Sequence, residues 1–118
     1  MSSRILRAVP NSVLWLLRFP ALAVPHINQA LADAGLPPER IFWTDVAEKA
    51  PYIARGSLAD LFLDTPMCNG HTTGTDVLWA GLPMLTCPKE TFCSRVAASL
   101  NTAIRCPELI ARDMDDYV

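Results

Sequence analysis

The sequence predicts an α/β domain, a parallel sheet with right-handed crossovers and helices on its faces. Segments patterned as strands alternate four times with segments patterned as helices, and each connection is short. That alternation marks strand–helix–strand units. The first apolar run, Val13-Leu-Trp-Leu-Leu-Arg-Phe19, is nearly continuous rather than alternating, as suits a strand covered on both faces. A chain of 118 residues holds one domain of this kind.

Pro20 closes the first strand. Pro25 fits the first turn of a helix, and Ile27, Ala30, Leu31 and Ala34 fall at i, i+3, i+4 and i+7. Gly35 is placed to end that helix, with Pro37 and Pro38 behind it. Arg40 to Thr44 reads as a second strand, and Glu48 to Arg55 as a short helix stopped by Gly56. Ala59 to Asp64 is a third strand that ends in an acid. Thr65 to Gly70 is a loop, His71 to Ala80 a helix closed by Gly81, and Pro83 to Thr86 a fourth strand. An amphipathic helix starts at about Phe92, with Val96, Leu100 and Ile104 at spacing four, and a last helix starts at Pro107. Ligands of such sheets bind outside the carboxyl ends of the strands. The loops after Phe19, Thr44, Asp64 and Thr86 are therefore the places to look for chemistry.

Composition excludes several function classes. Hydrophobic residues make up 51% and charged residues 19%, so the chain can build a core. Ten Lys+Arg against twelve Asp+Glu give a net charge of −2 with no basic run, which argues against a partner nucleic acid held by phosphate neutralisation. No apolar stretch approaches the ~20 residues of a membrane-spanning helix; the run from Val13 is broken by Arg18 and Pro20. The amino-terminal Met-Ser-Ser-Arg-Ile-Leu-Arg has no long apolar region or small-residue cleavage site behind it. Cys68, Cys87, Cys93 and Cys106 are irregularly spaced, without a Cys-x-x-Cys pair. Reduced thiols and a cytosolic or nuclear setting are the expectation.

One segment is dense in chemistry: Cys68-Asn-Gly-His-Thr-Thr-Gly-Thr-Asp76, between the third strand and its helix. A helix start presents unpaired N–H groups and the positive end of the dipole. Gly70 allows close approach, and the Thr72 and Thr73 hydroxyls add donors, which together suit a phosphate or diphosphate. Asp76 follows those threonines by three and four residues, shares their face, and can accept hydrogen bonds from sugar hydroxyls. The competing reading is a capped helix, with Thr72 or Thr73 as the cap and Asp76 complementing the dipole. A second cluster follows the second strand. Lys49, Tyr52 and Arg55 are three apart, so on a helix they share one side. A ring between two cations can stack on a base while the cations meet phosphate or base oxygens; the plainer reading is a solvated helix face. Metal and nucleophile chemistry find less support. Two histidines and no second ligand pair argue against zinc beside Cys68 and His71. No serine sits on a nucleophile turn to complete a triad with His71 and Asp76. His26 reads as a partly exposed polar residue, and Cys87 and Cys93 lack the nearby cations of an activated thiolate.

Five blocks carry more than generic patterning. Val9-Pro-Asn-Ser-Val-Leu-Trp-Leu-Leu-Arg-Phe-Pro20, Arg55-Gly-Ser-Leu-Ala-Asp60, Leu63-Asp-Thr-Pro-Met-Cys-Asn-Gly-His-Thr-Thr-Gly74, Asp76-Val-Leu-Trp-Ala-Gly81 and Ser94-Arg-Val-Ala-Ala-Ser99 stand in consistent order. Together they resemble the catalytic region of the O-linked N-acetylglucosamine transferases, glycosyltransferase family 41 of the GT-B superfamily. The resemblance runs from about Arg4 to Tyr117.

What the resemblance implies is specific. The family has two Rossmann-like lobes with a nucleotide sugar between them, and this chain resembles most of the second, C-terminal lobe. The family transfers GlcNAc from UDP-GlcNAc to serine and threonine hydroxyls of nuclear and cytosolic proteins. By motif, His71, Thr72 and Thr73 should meet the donor's diphosphate and Asp76 its ribose. Ala47 and Lys49 match uridine-contacting positions, and Arg55 another donor-site position. Tyr52 stands where the family usually has a histidine against the uracil, and Glu48 replaces a proline. The implied reaction is an inverting, metal-independent displacement that needs no cofactor beyond the donor substrate. No catalytic base is assignable among these residues. The family places its tetratricopeptide repeats, its first lobe and the opening of the second lobe before the stretch that Met1 begins. The expectation is thus a partial lobe, residues 1–118, inactive without the missing catalytic lobe. A nucleotide-binding module without chemistry, a non-functional fragment, and a related transferase using another sugar are the competing readings.

Overall fold

The computed structural model describes residues 2–118 and divides them into two compact units, residues 2–47 and 48–118.

The first unit starts with a helix the sequence pattern does not announce, α1 (Ser2–Ala8). It is seven residues long, too short to hold by propensity alone, and long-range contacts hold it, among them Arg7 donating to the Ala34 carbonyl. Leu6 is buried with Leu31 and Leu36. The Arg40 guanidinium donates to the carbonyls of Leu6 at 2.7 Å and Val9 at 3.1 Å, close to where the helix runs out of internal partners. It also donates to the Ser12 carbonyl and, at 2.8 Å, to the Ser12 hydroxyl. Strand β1 (Leu14–Leu17) pairs in parallel with β2 (Ile41–Thr44), with Leu14 opposite Ile41 and Leu17 opposite Thr44. Helix α2 (Ala23–Asp33) makes the crossover, and Gly35 follows it at φ 72°, the left-handed stop its position predicts. Leu31 is buried on the predicted stripe, while Ala30 is exposed. The first strand is half-buried rather than sealed on both faces, with Leu17 exposed. A two-stranded parallel pair leaves part of its surface open.

The second unit holds α3 (Lys49–Gly56), β3 (Phe62–Leu63), α4 (Thr72–Trp79), β4 (Met84–Leu85) and α5 (Val96–Ala103). Strands β3 and β4 are parallel, with Phe62 opposite Met84. Parallel α/β order therefore holds in both units, each with one parallel pair of strands. On its other side β4 continues into a parallel bridge, Thr86 to Ile110, made by Thr86 N–H to Leu109 O at 3.0 Å and Ala111 N–H to Thr86 O at 2.8 Å. That pairing explains why the helix expected at Pro107 is a single 3-10 turn, Pro107–Leu109: the chain must extend at once to reach Thr86. The core of this unit is Val77, Leu82, Met84 and Ala97. Gly81 takes φ 81° after α4, as predicted. Gly56 is different: it is the last residue of α3, and a Cβ there would stand 3.1 Å from Ala80 Cβ. It is a point of close approach between α3 and the end of α4, not a left-handed stop.

Helix α5 corrects the sequence pattern twice. Its buried face is Ala97 and Asn101, both fully buried, whereas Ile104 of the expected stripe is 49% exposed. Asn101 donates to Met84 O at 2.7 Å and Leu109 O at 3.3 Å, so a polar residue ties the helix to β4. The helix also starts at Val96 rather than near Phe92, where a 3-10 turn (Phe92–Ser94) stands instead. In a continuous helix Ala97 N–H would bond the Cys93 carbonyl. Here Asn69 takes both ends of that bond. Its N–H donates to Cys93 O at 2.8 Å, and its Oδ1 accepts from Ala97 N–H at 3.1 Å.

Candidate functional site

The loop between β3 and α4 is built around two buried polar side chains. Asp64, 1% exposed, ends the third strand. Its Oδ1 accepts Gly70 N–H at 2.7 Å, and its Oδ2 accepts the Thr86 hydroxyl at 2.7 Å. Its carbonyl accepts the Tyr117 hydroxyl at 2.8 Å, and its N–H donates to Leu85 O at 3.0 Å. Burial, and then the charge of Asp64, push the Tyr117 phenol well above its ordinary value, so it stays a donor. Asn69, 6% exposed, fixes the loop from the other side, through Cys93, Ala97 and a 2.9 Å bond from Nδ2 to Thr65 O.

Held in this way, the chain enters α4 at His71. His71 occupies the N-cap position and makes no side-chain cap bond to the helix. Thr72 and Thr73 stand inside the first turn and are exposed. The reading of Thr72 or Thr73 as the N-cap is thus not what the fold adopts. The His71 Nε2 lies 3.2 Å from the Cys93 carbonyl, which can only accept. The ring therefore carries a proton on Nε2, and in its neutral form Nδ1 is the acceptor. Its edge meets Phe92, with ring centroids 6.4 Å apart at 87°. Gly70 does not use its N–H outward, since Asp64 takes it. Its lack of a side chain matters all the same: a Cβ at residue 70 would sit 3.0 Å from the Gly74 N, over the open amides of the first turn.

The second cluster assembles on α3 and the middle of α4. Lys49 Nζ lies 3.1 Å from Asp76 Oδ1, with side-chain exposures of 66% and 16%. The Arg55 guanidinium lies 5.3 Å from the centroid of the Tyr52 ring, within cation–π range. Burial, then the negative charge of Asp76, raise the Tyr52 phenol above its ordinary value, against an opposing pull from Arg55. Four predicted residues thus share one electrostatic neighbourhood: Lys49, Tyr52, Arg55 and Asp76. Asp76 lies on the same helix as Thr72 and Thr73, a turn further on, so the two predicted clusters meet along α4. Ala47 is half-buried and ends the first unit.

Asp64 and Asn69 are the residues sequence reasoning missed. The available signal was an acid directly after the apolar Leu61-Phe-Leu63 at a strand's carboxyl end. The other loops are plainer. Arg18 and Asp45 pair at 2.8 Å on an exposed surface of the first unit, and Cys87 after β4 is fully buried. His26 is exposed. All four cysteines are free thiols. Among the described residues, no group of three or more His, Cys, Asp or Glu is arranged to hold a metal ion.

Comparison with known proteins agrees over the whole chain. The family model for glycosyl transferase family 41 matches residues 1–118. The UDP-N-acetylglucosamine–peptide N-acetylglucosaminyltransferase of Caenorhabditis elegans is 51% identical over 98% of this chain, which spans 10% of that protein. The probable UDP-N-acetylglucosamine–peptide N-acetylglucosaminyltransferase SEC of Arabidopsis thaliana is 52% identical over 96% of this chain and 12% of its own length. Among solved structures, a lysine-to-methionine mutant of the Thermobaculum terrenum O-GlcNAc transferase superposes with a TM-score of 0.90 at 27% identity. That match covers 98% of this chain and 23% of the other. The chain spans about a tenth of the length of the two curated relatives. With its parallel α/β order and its Cys-Asn-Gly-His-Thr-Thr-Gly loop at a strand's carboxyl end, this chain belongs to glycosyl transferase family 41.

Proposed function

We propose that this chain is the donor-binding portion of an enzyme that transfers N-acetylglucosamine from UDP-GlcNAc to serine and threonine hydroxyls of nuclear and cytosolic proteins. In this reading, residues 1–118 are part of the C-terminal GT-B lobe. The other lobe and the tetratricopeptide repeats belong to the rest of the enzyme. The observation that carries it is the run of donors and charges along α4: an uncapped start bearing His71, Thr72 and Thr73, then Asp76 paired with Lys49 beside Tyr52 and Arg55.

The chemistry follows from the residue types. Tyr52 offers a ring face to the uracil, with Arg55, Lys49 and Ala47 around the uridine. Asp76 accepts the ribose hydroxyls. The diphosphate lies against the first-turn amides and the Thr72 and Thr73 hydroxyls, with His71 beside it. An acceptor hydroxyl attacks the anomeric carbon with inversion, and the bond from that carbon to the β-phosphate oxygen breaks. The charge that develops on the departing UDP is met by donors already in place, which lowers the barrier electrostatically. No metal is required in this scheme. The base that takes the acceptor proton is supplied from outside these residues, so the chain alone is inactive.

The test is the double substitution Thr72→Ala with Thr73→Ala. It removes two charge-assisted hydrogen bonds, on the order of 1.5–3 kcal/mol each. UDP affinity of the intact protein, measured by calorimetric titration, should fall at least a hundredfold. Unchanged affinity would show the diphosphate assignment to be wrong. UDP binding without any transfer to a peptide, even with the upstream lobe supplied, would favour a nucleotide-binding module instead.

A further inference from the structure

The loop that enters α4 owes its shape to a carboxylate that faces away from solvent. Asp64 is 1% exposed, and each of its oxygens is engaged, Oδ1 by Gly70 N–H and Oδ2 by the Thr86 hydroxyl, both at 2.7 Å. Those two partners lie on opposite sides of the problem. Thr86 is fully buried and is fixed by backbone bonds to Leu109 and Ala111, so it is a rigid anchor. Gly70 directly precedes His71, and its Cα faces the Gly74 amide so closely that a Cβ would stand 3.0 Å from that nitrogen. A carboxylate bridging the two sets the height of residue 70 over the first turn of α4. Charge-assisted bonds of this kind are about twice as strong as neutral ones. Tyr117, 2% exposed, adds a third restraint through the Asp64 carbonyl at 2.8 Å.

We infer that Asp64 is a positioning residue for diphosphate recognition: through Gly70 it holds the His71–Thr73 amides and hydroxyls in their binding geometry, without itself touching the donor. This rests on the diphosphate reading of that turn. It also explains why a buried negative charge is tolerated behind an anion-binding turn. The charge is met by a backbone N–H and a hydroxyl.

The Lys49–Tyr52–Arg55–Asp76 cluster lies on helices α3 and α4, outside the restrained loop. Damage confined to the loop should therefore weaken UDP but not uridine, whereas a general loss of structure weakens both. On the intact protein, Asp64→Ala should lower UDP affinity at least tenfold and leave uridine affinity within twofold. Asp64→Asn, which keeps an oxygen for Gly70 N–H, should restore UDP affinity to within about threefold of the starting protein. Equal losses of UDP and uridine affinity, or no loss of either, would overturn the inference. If Asp64→Ala does not fold, Thr86→Val carries the same test: it frees one carboxylate oxygen and should cost about threefold in UDP alone. Failure of the unsubstituted protein to bind UDP more tightly than uridine would remove the diphosphate reading itself, a result distinct from failure of the Asp64 variants.

Discussion

Lys49 and Asp76 meet at 3.1 Å across two helices, one end of the pair in solvent and the other largely buried. With the Lys49 end 66% exposed, solvent screens the pair and holds its contribution to about 0–1 kcal/mol. Its consequence is electrostatic. Asp76 sets a negative charge beside Tyr52, where burial and then that charge raise the phenol above its ordinary value.

A titration tests this arrangement. Asp76→Asn should lower the Tyr52 pKa towards 10, its ordinary value, because Asp76 is one of the two causes that raise it. Phenolate absorbance against pH, compared between Asp76→Asn and the unsubstituted protein, reads the shift. The sign for stability follows: a raised folded value favours the fold fully below pH 10, and the benefit is lost as pH rises through the folded value. Asp76→Asn should flatten that alkaline loss while leaving stability at neutral pH within about 1 kcal/mol.

Asn69 replaces a helical hydrogen bond with two of its own, so its removal should be felt in the fold. Asn69→Ala leaves the Ala97 N–H and the Thr65 carbonyl without their partner. The Ala97 N–H is buried and costs about 1–3 kcal/mol when stranded, whereas Thr65 is exposed and its carbonyl can turn to water. Urea denaturation should show a loss of about 1–3 kcal/mol. Hydrogen exchange should quicken at Ala97 before the rest of α5.

Arg105 follows α5 at φ 63°, a conformation that side chains other than glycine adopt only with strain. Arg105→Gly should raise stability by about 0.5–1 kcal/mol, despite the entropy glycine adds to the unfolded chain and the loss of a cation near the helix end. Thermal melting reads this as a small upward shift; a decrease would contradict the strain.

At the carboxyl end, the Arg112 side chain and N–H both bond Asp116, which holds that carboxyl down to about 2. A depressed folded value gives a contribution present above the unfolded value of 3.8 and lost as pH falls through about 2. Carbonyl-detected NMR should find Asp116 titrating near that lower value. Arg112→Gln should bring it back towards 3.8.

Part of this molecule is legible in its sequence because the information is local. Apolar runs and helix periodicity place β1, α2, β2, α3 and α4 to within a few residues, and Gly35 and Gly81 stop helices as their positions predict. The Cys68–Asp76 segment announces donors at a helix start because residue types and spacing suffice for that, and Lys49, Tyr52, Arg55 and Asp76 do come together. Other features depend on partners far along the chain, which no local window contains. Helix α1 exists because Arg40 and Leu31 reach it, and α5 starts late because Asn69 intercepts its first bond. Strand β4 takes a further neighbour in Ile110, through Thr86, from a segment well beyond it in the chain. Asp64 acquires its place only when Thr86, 22 residues away, and Tyr117, 53 residues away, fold onto it. Sequence periodicity records which face of an element is apolar; a buried polar group must find a partner wherever the fold brings one, and that only the tertiary structure decides.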